Sequence, residues 1–460
     1  MQTLPSDSGS GLVLAPFRGI RYARDRVSGI ANVTSPPYDV ISGDILGHLR
    51  AADPHNVVRL ILPGEDADAS KTAGCLLREW LSSGVLIRDR MAALYIYEQS
   101  NHRAGRDEPP GGCWLQRGII GLVRLGAPGS AAILPHENVL PRVVAGRREL
   151  MAATQANLEP IFLIYDGEQA RTGTDTATEV MDRVAAERTP LVTISTEDGV
   201  THRLWRLSEP AEQAAIAADL AGRRALIADG HHRYAAYQDL QGEMRASGRG
   251  SGPWDYGLAF LVDSAAYPPR VGAIHRVLPG LPPDRAAALA RTAFTVTDLP
   301  GGTDLDEALD RLAVAGRSGT AFLLAGGPVF RLLSDPDRAQ IQAAMPSGVS
   351  GSWQDLDAAV LQELLLGRLW GIADSGRGVL IDHSAADAVR AVSGDALATD
   401  VAEDSPGVVA GTGTAVICNP VPFGVVLEIA ARGERVPRKS TSFGPKPRTG
   451  LILRTFGPAD

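Results

Sequence analysis

The densest concentration of chemistry in this sequence is the run Ala228-Asp229-Gly230-His231-His232-Arg233. A glycine between an apolar run and helix-forming residues lets a ligand approach the backbone closely. The first N–H groups of the helix would point outward with partial positive charge. Arg233 offers a forked pair of donors to phosphate oxygens, and His231 and His232 add donors whose protonation a bound phosphate raises. The predicted chemistry is therefore phosphate or nucleotide binding by Asp229, Gly230, His231, His232 and Arg233. His231 or His232 could also serve as a catalytic nucleophile in a phosphatase route. The plainer alternative is that Asp229 caps the helix, Gly230 makes the turn and the imidazoles cover it. Capping requires neither histidine, which favours the phosphate site.

A second cluster lies at Pro135–Arg142, PHENVLPR. Glu137 could act as general base, because a carboxylate raised by partial burial can take a proton from a hydroxyl nucleophile, while His136 and Arg142 could hold substrate. No histidine stands three residues after Glu137, so the zinc-protease helix motif is missing. An exposed charged loop is the competing explanation. A third cluster, Arg438-Lys439-Ser440-Thr441 with Lys446 and Thr449, carries cations and hydroxyls able to close over an anionic substrate; basic segments are more often simply solvated. Ser35-Pro36-Pro37-Tyr38-Asp39 reads as a rigid turn with a packed tyrosine and a capping aspartate. A metal-dependent hydrolase built on His136, Glu137, His231 and His232 is a further option, with the metal unspecified.

These residues need elements to hold them. VVRLIL at 57–62, ALYIY at 93–97 and residues 118–125 read as strands, with a helix around 71–81. RRELMAATQANL reads as a helix and PIFLIYD as a strand, followed by an exposed helical insertion near 167–190. Strands follow around 191–194 and 202–207. Residues 225–228 form a short strand, and RYAAYQDLQGEMRA the helix behind the His-His-Arg loop. Strands at 258–262 and 272–278 precede PGLPP. Beyond it come a helix at 305–313, strands at 321–324 and 329–333 and a helix at 356–369. The closing VPRKSTSFGPKPRTGLILR reads as irregular chain anchored by Leu451-Ile452-Leu453, whereas residues 1–10 read as mobile. The fold class is α/β (mixed α+β) and multi-domain, with regions 1–126, 127–282 and 283–460.

Composition bounds the rest. With 460 residues, 44% hydrophobic and 21% charged, the chain has the balance of a globular protein of two or three domains. A formal net charge of -8 argues against nucleic acid or an anionic membrane as partner. Cys75, Cys113 and Cys418 show no CxxC spacing, as a reducing compartment predicts. Without a basic leader or a window of 18 apolar residues, a cytoplasmic location is expected.

Taken in order, FRGIRY, SPPYDVIS, PHENVLPR, ANLEPIFLIYD, ADGHHRYAAY, AIHRVLPG and PRKSTSFGPKPRTG resemble the bacterial family catalogued as domain of unknown function 1015, nearly end to end. The middle, from ILPHENVLPR through PIFLIYD and RLWRL to ALIADGHHRYAA, is similar to the ParB/sulfiredoxin fold, and in chemistry to the archaeal free serine kinases. That likeness implies that Glu137 activates a serine hydroxyl while the Asp229–Arg233 loop holds nucleotide phosphates, ATP or ADP, with Mg²⁺. Where sulfiredoxins place cysteine this chain has His231, so sulfinic acid reduction is not expected. DNA binding of the ParB kind is undercut by the acidic charge.

The expected function is a phosphotransferase or phosphohydrolase acting on a small phosphorylated metabolite, with serine or phosphoserine as first substrate and His136, Arg142, Lys439, Ser440 and Thr441 around it. The alternative is a non-catalytic nucleotide-binding switch protein. Nothing in the sequence fixes the oligomeric state.

Overall fold

A computed structural model describes residues 11–101, 113–126, 132–167, 176–372, 378–393 and 413–456. The chain divides into two compact units, Met1–Pro135 with Val139–Pro269 and Pro445–Asp460, and His136–Asn138 with Arg270–Gly444. The protein is a mixed α/β chain, as its composition and alternating elements predict. Residues 1–10, expected to be mobile, lie outside the described residues.

The first unit is organised by one sheet. Its strands are β1 (Leu14–Ala15), β2 (Leu94–Ser100), β3 (Leu115–Arg124), β4 (Ile133–Leu134), β5 (Ile161–Tyr165), β6 (Val192–Ser195), β7 (Thr201–Leu207), β8 (Ala225–Asp229) and β9 (Tyr256–Asp263). They lie in the order β4-β8-β5-β9-β3-β2-β7-β6, with β1 also paired to β3. Strands from both sides of residue 126 share this sheet. β4 runs parallel to β8 and β5 parallel to β9, while β8 and β5 are antiparallel. Every residue of β5 and β9 is buried, which explains why they read as unbroken apolar runs rather than alternating ones.

Helices α1 (Ala69–Ser82), α2 (Pro141–Thr154), α3 (Ala177–Glu187), α4 (Pro210–Leu220) and α5 (His231–Ala246) accompany this sheet. Pro141 opens α2 at a position where no backbone donor is needed. The buried stripe Arg233, Tyr234, Tyr237, Leu240 and Gln241 sets the face of α5 that turns inward.

Two expectations need correction. VVRLIL is not a strand: Val58–Ile61 is a short helix, its Val58 N–H bonded to Asn56 Oδ1 at 2.9 Å. Val57, Val58, Leu60 and Ile61 are all 0% exposed, and a short run buried on every side carries no period to tell helix from strand. Nor is the stretch after residue 167 an exposed insertion. Residues 168–175 lie outside the described set, but α3, begun by a reciprocal Thr176/Glu179 capping box, buries Ala177, Val180, Met181 and Val184 in the same core as Tyr165.

The second unit has its own antiparallel sheet. Its strands are β10 (His275–Leu278), β11 (Thr295–Asp298), β12 (Phe322–Ala325), β13 (Arg331–Ser334), β14 (Leu380–Asp382) and β15 (Thr414–Cys418), in the order β11-β13-β12-β15-β10-β14. Helices α6 (Leu305–Gly316) and α7 (Phe423–Ala431) belong to this unit. The expected helix at 356–369 is present as Asp357–Ala359, continuing with wider π-type turns through Val360–Trp370.

Candidate functional site

β8 ends at Asp229 and α5 begins at His231, with Gly230 between them at φ 96°, in the left-handed region. A Cβ on Gly230 would also lie 3.1 Å from Ile161 Cγ2 and 3.2 Å from Arg233 Cζ, so glycine serves both conformation and space here. No side chain caps α5. Asp229, which could have done so, is instead held by two cations: Oδ2 accepts Arg233 Nη2 at 2.5 Å, and Oδ1 lies 2.7 Å from Lys446 Nζ.

Arg233 turns inward. Only 4% exposed, it donates through Nη1 to Pro160 O at 2.5 Å, and its Cζ stands 5.8 Å from the centre of the Tyr38 ring. The expected fork toward an external phosphate is thus engaged by protein acceptors. Burial opposes its charge, yet Glu159 and Asp229 outweigh that and hold its pKa above the ordinary value.

Glu159 is a buried carboxylate that the sequence does not single out. Its Oε1 accepts the Tyr38 N–H and the Thr449 hydroxyl, both at 3.2 Å. Burial raises its pKa against the pull of Arg233 and then Arg147, and burial wins. Arg147 stacks over Tyr38 at 4.2 Å, so Tyr38 is the packed ring expected of it. A cavity of about 20 Å³, bounded by Glu159, Arg233, Arg147 and Tyr237, has room for roughly one water.

Lys446 joins this group from the C-terminal segment. Its ammonium bridges Asp229 and Asp39, so Asp39 serves as a counter-ion rather than as the expected cap. Burial works against the charge, but Asp229 and then Asp39 keep the Lys446 pKa raised. Ser35 and Thr449 exchange backbone hydrogen bonds at 3.1 and 2.9 Å, which ties the Ser-Pro-Pro-Tyr-Asp turn to the C-terminal segment. Leu451, Ile452 and Leu453, at 3%, 2% and 1% exposed, anchor that segment as expected.

The two histidines are placed differently. His231 opens α5 and is 8% exposed. His232 Nε2 accepts the Leu140 N–H at 3.0 Å, which leaves its proton on Nδ1 and makes it a donor. The Nε2 lone pair is therefore committed, contrary to the needs of a nucleophile at that atom. Arg142 is exposed near the start of α2.

The remaining candidates belong to the second unit. His136 is 1% exposed; its Nε2 lies 3.0 Å from Thr441 Oγ1 and its ring meets Phe443 edge-on. Ser440 bonds back to Pro437 O, Lys439 is exposed at φ 53°, and Glu137 is half-buried. Among the described residues, no group of three or more His, Cys, Asp or Glu side chains could hold a metal ion. Asp39 and Asp229 do approach one another, but with the Lys446 ammonium between them, and so do not fit a resident Mg²⁺.

A family profile described as "Protein of unknown function (DUF1015)" matches residues 14–359. The chain belongs to the DUF1015 family. The matched interval of this DUF1015 protein holds Asp39, Glu137, Glu159 and the Asp229–Arg233 loop, whereas Lys446 lies beyond it. Solved structures similar to it include SbnI with a C-terminal truncation from Staphylococcus aureus, at 11% identity and TM-score 0.34, covering 74% of this chain and 90% of that one. A free serine kinase in complex with AMP is 16% identical, with TM-score 0.31, covering 68% of this chain and 84% of that one. A conserved hypothetical protein from Pyrococcus furiosus is 14% identical, with TM-score 0.32, covering 70% and 90%. No curated protein matches the DUF1015 chain.

Proposed function

We propose that this protein binds the phosphoryl group of a small metabolite or nucleotide at the head of α5 and transfers or hydrolyses it. One observation carries the proposal: α5 starts at Gly230 without a side-chain cap, while the adjacent carboxylate of Asp229 is held by Arg233 and Lys446. A helix start left uncapped in this way favours an anion, through both its N–H groups and its dipole. His232 Nδ1–H adds a donor, and Lys446, 20% exposed along its side chain, adds positive charge. Arg233 then acts as a positioning residue, setting Asp229 and the loop. Such fixed positive groups are what phosphoryl transfer needs, since positioning and electrostatics carry most of its catalysis.

Serine or phosphoserine is the substrate to try first, on the motif resemblance. Glu137 is proposed as general base by its chemistry alone. The alternative, a nucleotide-responsive switch without turnover, is favoured by the commitment of His232 Nε2 to Leu140. Incubating the purified protein with ATP, ADP, CTP, serine and phosphoserine, with and without Mg²⁺, separates the two. Phosphate release or serine phosphorylation that Glu137→Gln abolishes, with ligand binding retained, supports the enzyme. Saturable binding without turnover supports the switch, and no binding of any phosphorylated ligand overturns both.

A further inference from the structure

A cavity in the second unit has no part in the phosphate chemistry above. It encloses about 380 Å³ within the range expected of small-ligand sites. Its walls combine carboxylates with an apolar side. Asp355, Asp357 and Glu428 face it together with Asn419, while Val421, Pro422 and Val425 supply the hydrocarbon surface.

The three carboxylates are not equivalent. Asp355 pairs with Arg338 at 2.9 Å, and Glu428 pairs with Arg432 at 3.2 Å while accepting the Ser352 hydroxyl at 2.8 Å. Asp357 accepts from the Thr320 hydroxyl, the Ala321 N–H and the Asn419 amide, but no cation pairs with it among the described residues. Asn419 is itself fixed, because Gly316 lets it approach α6 so closely that a Cβ there would lie 2.4 Å from Nδ2. Three donors thus aim one carboxylate at a pocket that also offers apolar contact. A carboxylate in such a place lacks only a counter-ion, and a ligand can bring one.

We infer that this pocket binds a small organic cation, a primary alkylamine whose ammonium meets Asp357 and whose hydrocarbon part packs against Val421, Pro422 and Val425. Cavity size, the aimed carboxylate and the apolar wall all point to that class; an anion would meet three carboxylates. The cation also relieves what burial does to Asp357, whose carboxyl is pushed up to about 6 against its three hydrogen bonds. Binding therefore weakens as pH falls through that value. The other titratable groups facing Asp357 are Asp355 and Glu428, held by Arg338 and Arg432, with the half-buried Cys418 nearby, its thiol pushed up to about 12.

The test uses the full chain and ligand-detected NMR with butylamine, 1,4-diaminobutane, 1-butanol and butyrate. Saturable binding of the amines, at least tenfold tighter than that of the alcohol, with none of butyrate, is expected. Asp357→Asn should cost roughly tenfold or more in amine affinity, as loss of a charge-assisted contact predicts. Because a variant inside a helix start can perturb folding, Val425→Lys provides a second probe: its ammonium fills the pocket and blocks amine binding while circular dichroism stays unchanged. Equal binding of butylamine and 1-butanol, undiminished binding to Asp357→Asn, or no amine binding to the parent protein would each overturn the assignment.

Discussion

Lys446 Nζ lies 2.7 Å from Asp229 Oδ1, placing a cation from the C-terminal segment at the strand end that hands over to α5. It neutralises the carboxylate that would otherwise repel an anion at this helix start. Lys446→Gln should therefore weaken inorganic phosphate or nucleotide binding by about tenfold, close to the 1.4 kcal/mol that one factor of ten represents. The melting temperature should drop as well, because Asp229 and Asp39 lose their shared partner. Titration of the variant with ATP checks the first effect, and unchanged affinity would remove Lys446 from the site.

Arg233 sits with 5% of its side chain exposed against 10% for Asp229, so theirs is a buried pair. Removing Arg233 takes from Asp229 one of its two cations, leaving Lys446, and takes from Pro160 O its donor; breaking a buried pair of this kind costs about 3–5 kcal/mol in comparable cases. Arg233→Met should fall in that range by denaturant unfolding. Arg233→Lys should recover only part of it, since a single ammonium cannot reach both Asp229 and Pro160 O in the planar geometry a guanidinium offers. If both variants unfolded at the parental midpoint, Arg233 would not be the tie between loop and sheet.

The handover from β8 to α5 was legible because local signals agree there: an apolar run, Asp-Gly, then helix formers. The anchoring of the C-terminal segment was legible too, from Leu451 to Leu453. Glu159 was not. It stands just before the apolar run of β5, and nothing local shows that Arg147, twelve residues upstream, and Arg233, far downstream, flank it. That grouping depends on the long-range pairing of α2, β5 and α5, which side-chain periodicity cannot encode. VVRLIL failed for the opposite reason, since local pattern was all there was and burial on every side erased it.

Gly230 at φ 96° has no room for a side chain that also disfavours this conformation. Gly230→Ala should destabilise the protein by about 1–2 kcal/mol from backbone strain alone, with crowding against Ile161 added. Phosphate affinity should fall further than stability does, because any shift of the loop moves the first N–H groups of α5. A variant that binds phosphate as the parent does would show that this turn does not shape the site.

Glu159 sets a pH dependence of known sign. Its folded-state pKa is raised above the ordinary carboxylate value, with burial the largest cause. The folded protein therefore holds a proton there that the unfolded chain releases first, so the stabilisation is complete below the unfolded value and is lost as pH rises through the folded one. Glu159→Gln keeps an oxygen to accept the Tyr38 N–H and the Thr449 hydroxyl but has no proton to lose. Subtracting its unfolding free energy from that of the parent across pH 3–8, about the span over which carboxylates titrate, should leave a difference that moves against the parent as pH increases. A flat difference would mean that Arg233 and Arg147 cancel the effect of burial, and one favouring the parent at higher pH that they outweigh it.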